Sequence, residues 1–187
     1  MMKYIKDSLA LSALVKSKMA TDDLNQLETL KEQLKDRFGV PVGVHMTGIP
    51  LAVSTLLAIF CYAMLQVSLW LLLFRWLGLP EFKVMMGVFI AAIVYCLVVM
   101  STMFLTTRGS LPGYKLHIFV ITLTGIMSII YFIWTGISLL FGPVENYTPQ
   151  ITSLLGLGCF FLNIMWMNSS IFYRSIALTL HNRVWRK

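Results

Sequence analysis

No aspartate, glutamate, lysine or arginine interrupts the four long apolar runs of this 187-residue chain, and that absence excludes more functions than any motif present supports. Proton-coupled carriers, ion pumps and voltage sensors place ionisable groups at membrane depth, where those groups bind, relay or feel the field. The runs Ile49–Phe74, Val84–Leu105, Leu116–Phe141 and Ile151–Tyr173 offer none of the four. The three cysteines, Cys61, Cys96 and Cys159, stand singly in apolar surroundings with no CxxC spacing, which excludes a disulfide framework and a thiol relay at the membrane surface. No proline lies inside a run: Pro41 and Pro50 precede or open the first, while Pro80, Pro112, Pro143 and Pro149 fall in the connections, so the proline-broken helices of many transporters are not expected.

Catalytic equipment is equally thin. The histidines, His45, His117 and His181, have no second ligand at metal spacing, and no HExxH, GxSxG or Walker pattern occurs. Outside the first 48 residues the acids are Glu81 and Glu145, too few and too far apart to hold magnesium for phosphoryl transfer. These absences predict a protein that is not an enzyme and carries no cofactor or metal. A cleavable leader is not expected either: the apolar stretch Leu9–Val15 is short, Ser12 interrupts it, and Asp7 sits where a leader is purely basic.

The chain does contain helix-length apolar sequence in quantity. Hydrophobic residues make up 58% and charged residues 12%, far from the balance of a soluble domain. A hydrocarbon layer of about 30 Å requires about 20 apolar residues, and each run meets that length. Connections of nine or ten residues force neighbouring helices to be antiparallel. The predicted fold is therefore all-α and integral to the membrane: four transmembrane helices in an up-down antiparallel bundle, spanning residues 49–74, 84–105, 116–141 and 151–173. A cytoplasmic helical region, 1–48, precedes them and a basic cytoplasmic tail, 174–187, follows.

The formal charge of +7 is distributed beside the ends of these runs rather than along a groove suited to nucleic acid, and no direct nucleic-acid partner is expected. With four spans, both termini share a side with the middle connection, and that side holds thirteen lysines and arginines against two, Arg75 and Lys83, on the other. The imbalance predicts both termini in the cytoplasm, in a bacterial inner membrane. The tail residues Arg174, Arg183, Arg186 and Lys187 are candidates for lipid headgroups or an acidic partner, on a helix continuing out of the last span through Ile176, Leu180 and Val184. Trp76 and Trp185 suit the interfaces, whereas Trp134 and Trp166 are expected deeper, against neighbouring helices.

Before the first span, residues 3–19 are helix-compatible but poorly sided, with Lys3, Lys6, Lys16 and Lys18 scattered around the wheel. The next segment is better defined. Thr21 is an N-cap, Asp22 and Asp23 suit the positive helix end, and Gly39 then Pro41 stop it. Leu24, Leu27, Leu30, Leu34 and Phe38 form one apolar stripe on this helix. The stripe must be covered by the N-terminal segment, the membrane surface, another copy or a different protein. Acidic Glu28, Glu32 and Asp36 on the polar face favour a protein over a lipid surface.

Within the spans, Gln66, Asn163 and Asn168 read as hydrogen bonds between helices. Small residues at four-residue spacing, Ser54 with Ala58, Gly87 with Ala91, Thr124 with Ser128 and Thr152 with Gly156, read as close-packing positions within or between protomers. The sequon Asn146-Tyr147-Thr148, followed by Pro149 in a tight loop, is taken as chance. No residues carry a resemblance to a four-span family with short loops; redox thiol carriers fail on cysteine spacing, and small multidrug carriers on the missing membrane carboxylate. The pattern predicts a non-catalytic membrane subunit that oligomerises, contacts lipid, and anchors or scaffolds a cytoplasmic protein, in the manner of membrane sensors of bacterial defence or immunity systems. The rival expectation is a small homo-oligomeric channel with serine and threonine rows facing a central pore.

Overall fold

A computed structural model describes residues 2–20, 24–39, 48–141 and 146–186. Seven helices form among them, α1 (Lys3–Lys18), α2 (Leu24–Phe38), α3 (Ile49–Trp76), α4 (Val84–Thr107), α5 (Leu111–Phe141), α6 (Thr148–Met167) and α7 (Ser170–Trp185), with a 3₁₀ turn at Glu81–Lys83 and no strand among the described residues. The expected cap at Thr21, the acids Asp22 and Asp23, and Pro41, His45, Pro143, Glu145 and Lys187 lie outside the described residues, as does the side chain of Leu24.

Helices α3 to α6 are long and apolar enough to cross a membrane, at 28, 24, 31 and 20 residues. At 1.5 Å per residue α6 matches a hydrocarbon layer of about 30 Å, and the other three exceed it. Helices α3 and α4 start at Ile49 and Val84 as expected, whereas α5 and α6 start earlier, in an instructive way. Pro112 and Pro149, expected in loops, are the second residues of α5 and α6, as Pro50 is of α3. A proline in the first turn sacrifices a backbone N–H that has no helical partner, so it opens a helix without cost. Helix α5 accordingly begins five residues before Leu116 and includes Lys115 and His117.

The last apolar run does not continue into the tail as one helix. It stops at Met167, and Ser169, in an extended conformation, caps α7 by accepting a hydrogen bond from the Phe172 backbone N–H at 3.2 Å. Asn168 at the same break accepts a hydrogen bond from the Tyr4 backbone N–H at 3.0 Å. Two short polar side chains thus divide an apolar stretch that hydropathy alone reads through.

The chain divides into two compact units. The first comprises the described parts of Met1–Thr55, Met100–Phe119 and Ile164–Lys187, and the second Leu56–Val99 with Val120–Asn163, so α3 to α6 each contribute residues to both.

In the first unit α7 packs against both α1 and α2, and it is nearly enclosed from Ser175 to Leu180. Helix α1 buries Ile5, Ser8, Leu11, Ser12 and Val15, all on one face at helical spacing. The face that scattered lysines concealed is completed by two serines, whose small side chains suit close helix packing.

Candidate functional site

The apolar stripe of α2 is covered from within the chain. Leu27, Leu30, Leu34 and Phe38 are 7%, 1%, 0% and 5% exposed, and α7 is the main element packed on α2, with α1 beside it. Their counterparts on α7, Phe172, Ile176, Leu180 and Val184, are buried to the same degree. The stripe expected to receive a partner therefore forms the interior of a three-helix module. What α2 turns outward is polar: Asn25, Gln26, Glu28, Glu32, Gln33, Lys35, Asp36 and Arg37 are exposed.

Polar contacts run within the module, between the long helices, and from the module to a helix end in the same unit. Arg183, expected at a lipid or partner surface, donates from Nη1 to the Gly109 carbonyl at 2.6 Å. Gly109 has φ +72, and a Cβ there would stand 3.0 Å from Arg183 Cδ, so the turn after α4 accepts the arginine because it is glycine. The guanidinium also lies beside the negative end of the α4 dipole. Arg37 Nη1 donates to the Tyr173 hydroxyl at 2.9 Å, Tyr4 and Tyr173 have ring centroids 6.1 Å apart, and Trp166 Nε1 donates to the Pro50 carbonyl at 2.9 Å. Arg174 and Arg186 remain exposed.

At the other end of α7, His181 takes the Phe38 ring edge-on at a centroid distance of 5.2 Å and an interplanar angle of 72°. Lys31 Nζ lies over the Trp185 ring, 5.3 Å from its centroid. Burial holds the His181 imidazole below its ordinary acidity range, Asn182 beside it acts in the opposite sense, and the positive charges of Lys31 and Lys35 lower it further.

The long helices gather their polar side chains in pairs. In the first unit His117, 0% exposed, has Nδ1 3.0 Å from Thr102 Oγ1 and Nε2 3.4 Å from Ser54 Oγ, joining α5 to α4 and α3. Sequence reading placed His117 near a span end with no role; its partners lie 15 and 63 residues away, a separation that no local pattern reveals. In the second unit the Tyr95 hydroxyl bonds Thr124 Oγ1 at 2.8 Å, and its ring stacks on Tyr62 at 4.0 Å. Tyr131 donates to Ser68 Oγ at 2.6 Å, and Thr135 Oγ1 to Ser153 Oγ at 2.8 Å. Gln66 is buried with Oε1 unpartnered.

The small-residue pairs are distributed unevenly. Ser54, Ala58, Thr124, Ser128 and Gly156 are buried, and a Cβ at Gly156 would meet Ser128 Oγ at 3.3 Å and Met64 Cβ at 3.4 Å, a close approach of α6 to α5 and α3. Thr152 is half-buried and bonds the Tyr131 hydroxyl at 3.2 Å. Gly87 and Ala91 are half-buried, and Gly87 lies under the Trp70 ring, 2.7 Å from where its Cβ would be. Trp134, expected to pack on neighbours, is 61% exposed. Among the described residues no group of three or more His, Cys, Asp or Glu side chains gathers in a way that could hold a metal ion.

Comparison with protein-family models, with curated proteins and with solved structures returns no match. The class of protein is therefore defined by the molecule itself: an all-helical chain with four helices able to cross a membrane and a helical module built from its two ends.

Proposed function

We propose that this chain is a non-catalytic membrane platform. Helices α3 to α6 cross the plasma membrane as an up-down bundle with both termini in the cytoplasm, and they hold the α1–α2–α7 module at the membrane surface as the receiving face for a cytoplasmic protein. The observation that carries this reading is how the polar groups are spent. Several on the long helices bond one another inside the chain, as in the His117 and Tyr131 contacts, and those at the break and turn fasten the module to the helix ends. Large apolar side chains occupy the exposed faces of the long helices, Phe89, Ile130 and Met165 among them, as contact with lipid or a second copy requires.

Because the leucine stripe is filled in cis, recognition of the partner falls to the outer face of α2. A photo-crosslinking residue placed at Glu32 in native membranes is expected to capture a soluble protein, while one at Leu34 is expected to capture only α7 or α1 of the same chain. Purified chain in liposomes is expected to leave them tight to ions. Conductance from the reconstituted chain, together with no adduct from Glu32, would replace the platform with the homo-oligomeric channel.

A further inference from the structure

Where the middle and last turn of α2 meet the end of α7, cationic side chains from two helices come together. His181, Asn182, Trp185 and Arg186 line a surface depression of about 450 Å³. Lys31 from α2 reaches over the Trp185 ring, and both Lys31 and Lys35 act on the His181 ring. The charged groups that act on that imidazole are these two lysines, and the exposed Glu28 and Glu32 stand one turn before them on α2. Converging like charges raise the local potential and are relieved by an anion, and a concave site with a few directed polar groups is the form small-ligand sites take.

We propose that this depression binds a phosphate group, held by Lys31, Lys35 and Arg186 with the Asn182 amide as a neutral donor and the Trp185 ring as its apolar wall. Phosphate is favoured over carboxylate because its oxygens diverge toward several donors at once, and here the donors arrive from two helices rather than as a single planar fork. The arginine of the set is exposed, and its Nε donates to the Asn182 carbonyl at 3.1 Å. The inference stands apart from the platform reading, because it concerns what occupies this end of the module and not what docks on the outer face of α2.

The ligand's source is either a soluble phosphate compound or a phospholipid headgroup, and two arms separate them. In the first, full-length protein in a nonionic detergent is titrated with inorganic phosphate while tryptophan fluorescence is followed, with Trp185→Phe to assign the signal. In the second, the same signal is compared between nanodiscs of phosphatidylcholine alone and nanodiscs that include phosphatidic acid. A saturable change with inorganic phosphate assigns a soluble ligand; a change confined to phosphatidic acid assigns a lipid headgroup. Either must weaken about tenfold for each cation removed in Lys31→Gln/Lys35→Gln. Arg186→Gln, at an exposed position, gives the same reading if the double variant fails to fold. No change in either arm, or an equal change in the glutamine variants, overturns the proposal.

Discussion

Replacing Leu34 with alanine separates a stripe filled in cis from a vacant docking face. Leu34 is 0% exposed, at the centre of the α2 stripe beneath α7. Truncating a leucine in such a site removes its transfer energy and leaves a cavity, at a cost of about 3 kcal/mol. The module is a local unit, so native-state hydrogen exchange in detergent reports the loss directly. Amides of α2 and α7 that exchange through opening of the module should exchange about a hundredfold faster in Leu34→Ala. Gln33→Ala, one residue away and exposed, serves as the control and should change stability by no more than about 0.5 kcal/mol. The purified chain is tested alone, with no partner present, which makes the outcome diagnostic. A vacant face would leave both variants indifferent, so an increase below about threefold for Leu34→Ala would refute the packing of α2 on α7.

Three further outcomes follow from the geometry. Gly125→Ala is expected to lower the melting temperature or prevent assembly, because its Cβ would overlap the Phe160 ring, whereas Gly136→Ala meets nothing within 4 Å and should be neutral or slightly stabilising by helix propensity; thermal melts in detergent decide. His117→Leu removes the group that Ser54 and Thr102 bond and is expected to cost about 1–3 kcal/mol, while Ser54→Ala costs about 0.6 kcal/mol in line with single hydrogen bonds between membrane helices, both read from denaturation in mixed micelles. His181 has its folded-state value pushed below the ordinary 6.5, so the unfolded chain binds the proton more readily. Stability of the module should therefore hold above about pH 6.5 and decline as pH falls below it, and exchange rates in α7 measured between pH 5 and 8, corrected for intrinsic exchange, should lose that decline in His181→Phe.

Hydropathy and length made the four long helices legible, because lipid demands an uninterrupted apolar stretch and leaves composition little freedom. The α2 stripe was legible for a similar reason: five apolar residues at helical spacing in a charged segment admit one amphipathic reading. Three features were not. The break at Asn168–Ser169 carries two side-chain hydrogen bonds; the Ser169 cap on Phe172 is local, but the other reaches Tyr4, 164 residues away, and no window of sequence contains that pair. The α1 face was concealed because Ser8 and Ser12 count as polar in any hydropathy pattern yet are buried as small residues. The cover of the α2 stripe lay more than a hundred residues downstream, in a segment whose basic residues drew the reading toward lipid. Arg183 illustrates the last point, since its charge suited a headgroup and its geometry serves the Gly109 carbonyl.

The enclosure of α7 by α1 and α2 also imposes an order of events during synthesis. At 5–20 residues per second, on the order of 10–30 s separates the emergence of α2 from that of α7. On the platform reading, the leucines of α2 lack the cover of α7 throughout that interval, while α3 to α6 are being delivered to the bilayer. The module is thus the last part of the chain to close, and its closure reports that every helix between its two ends has already been made. A chain stalled or misinserted anywhere between Ile49 and Met167 keeps its leucine stripe in water, a ready mark for a holdase or a protease.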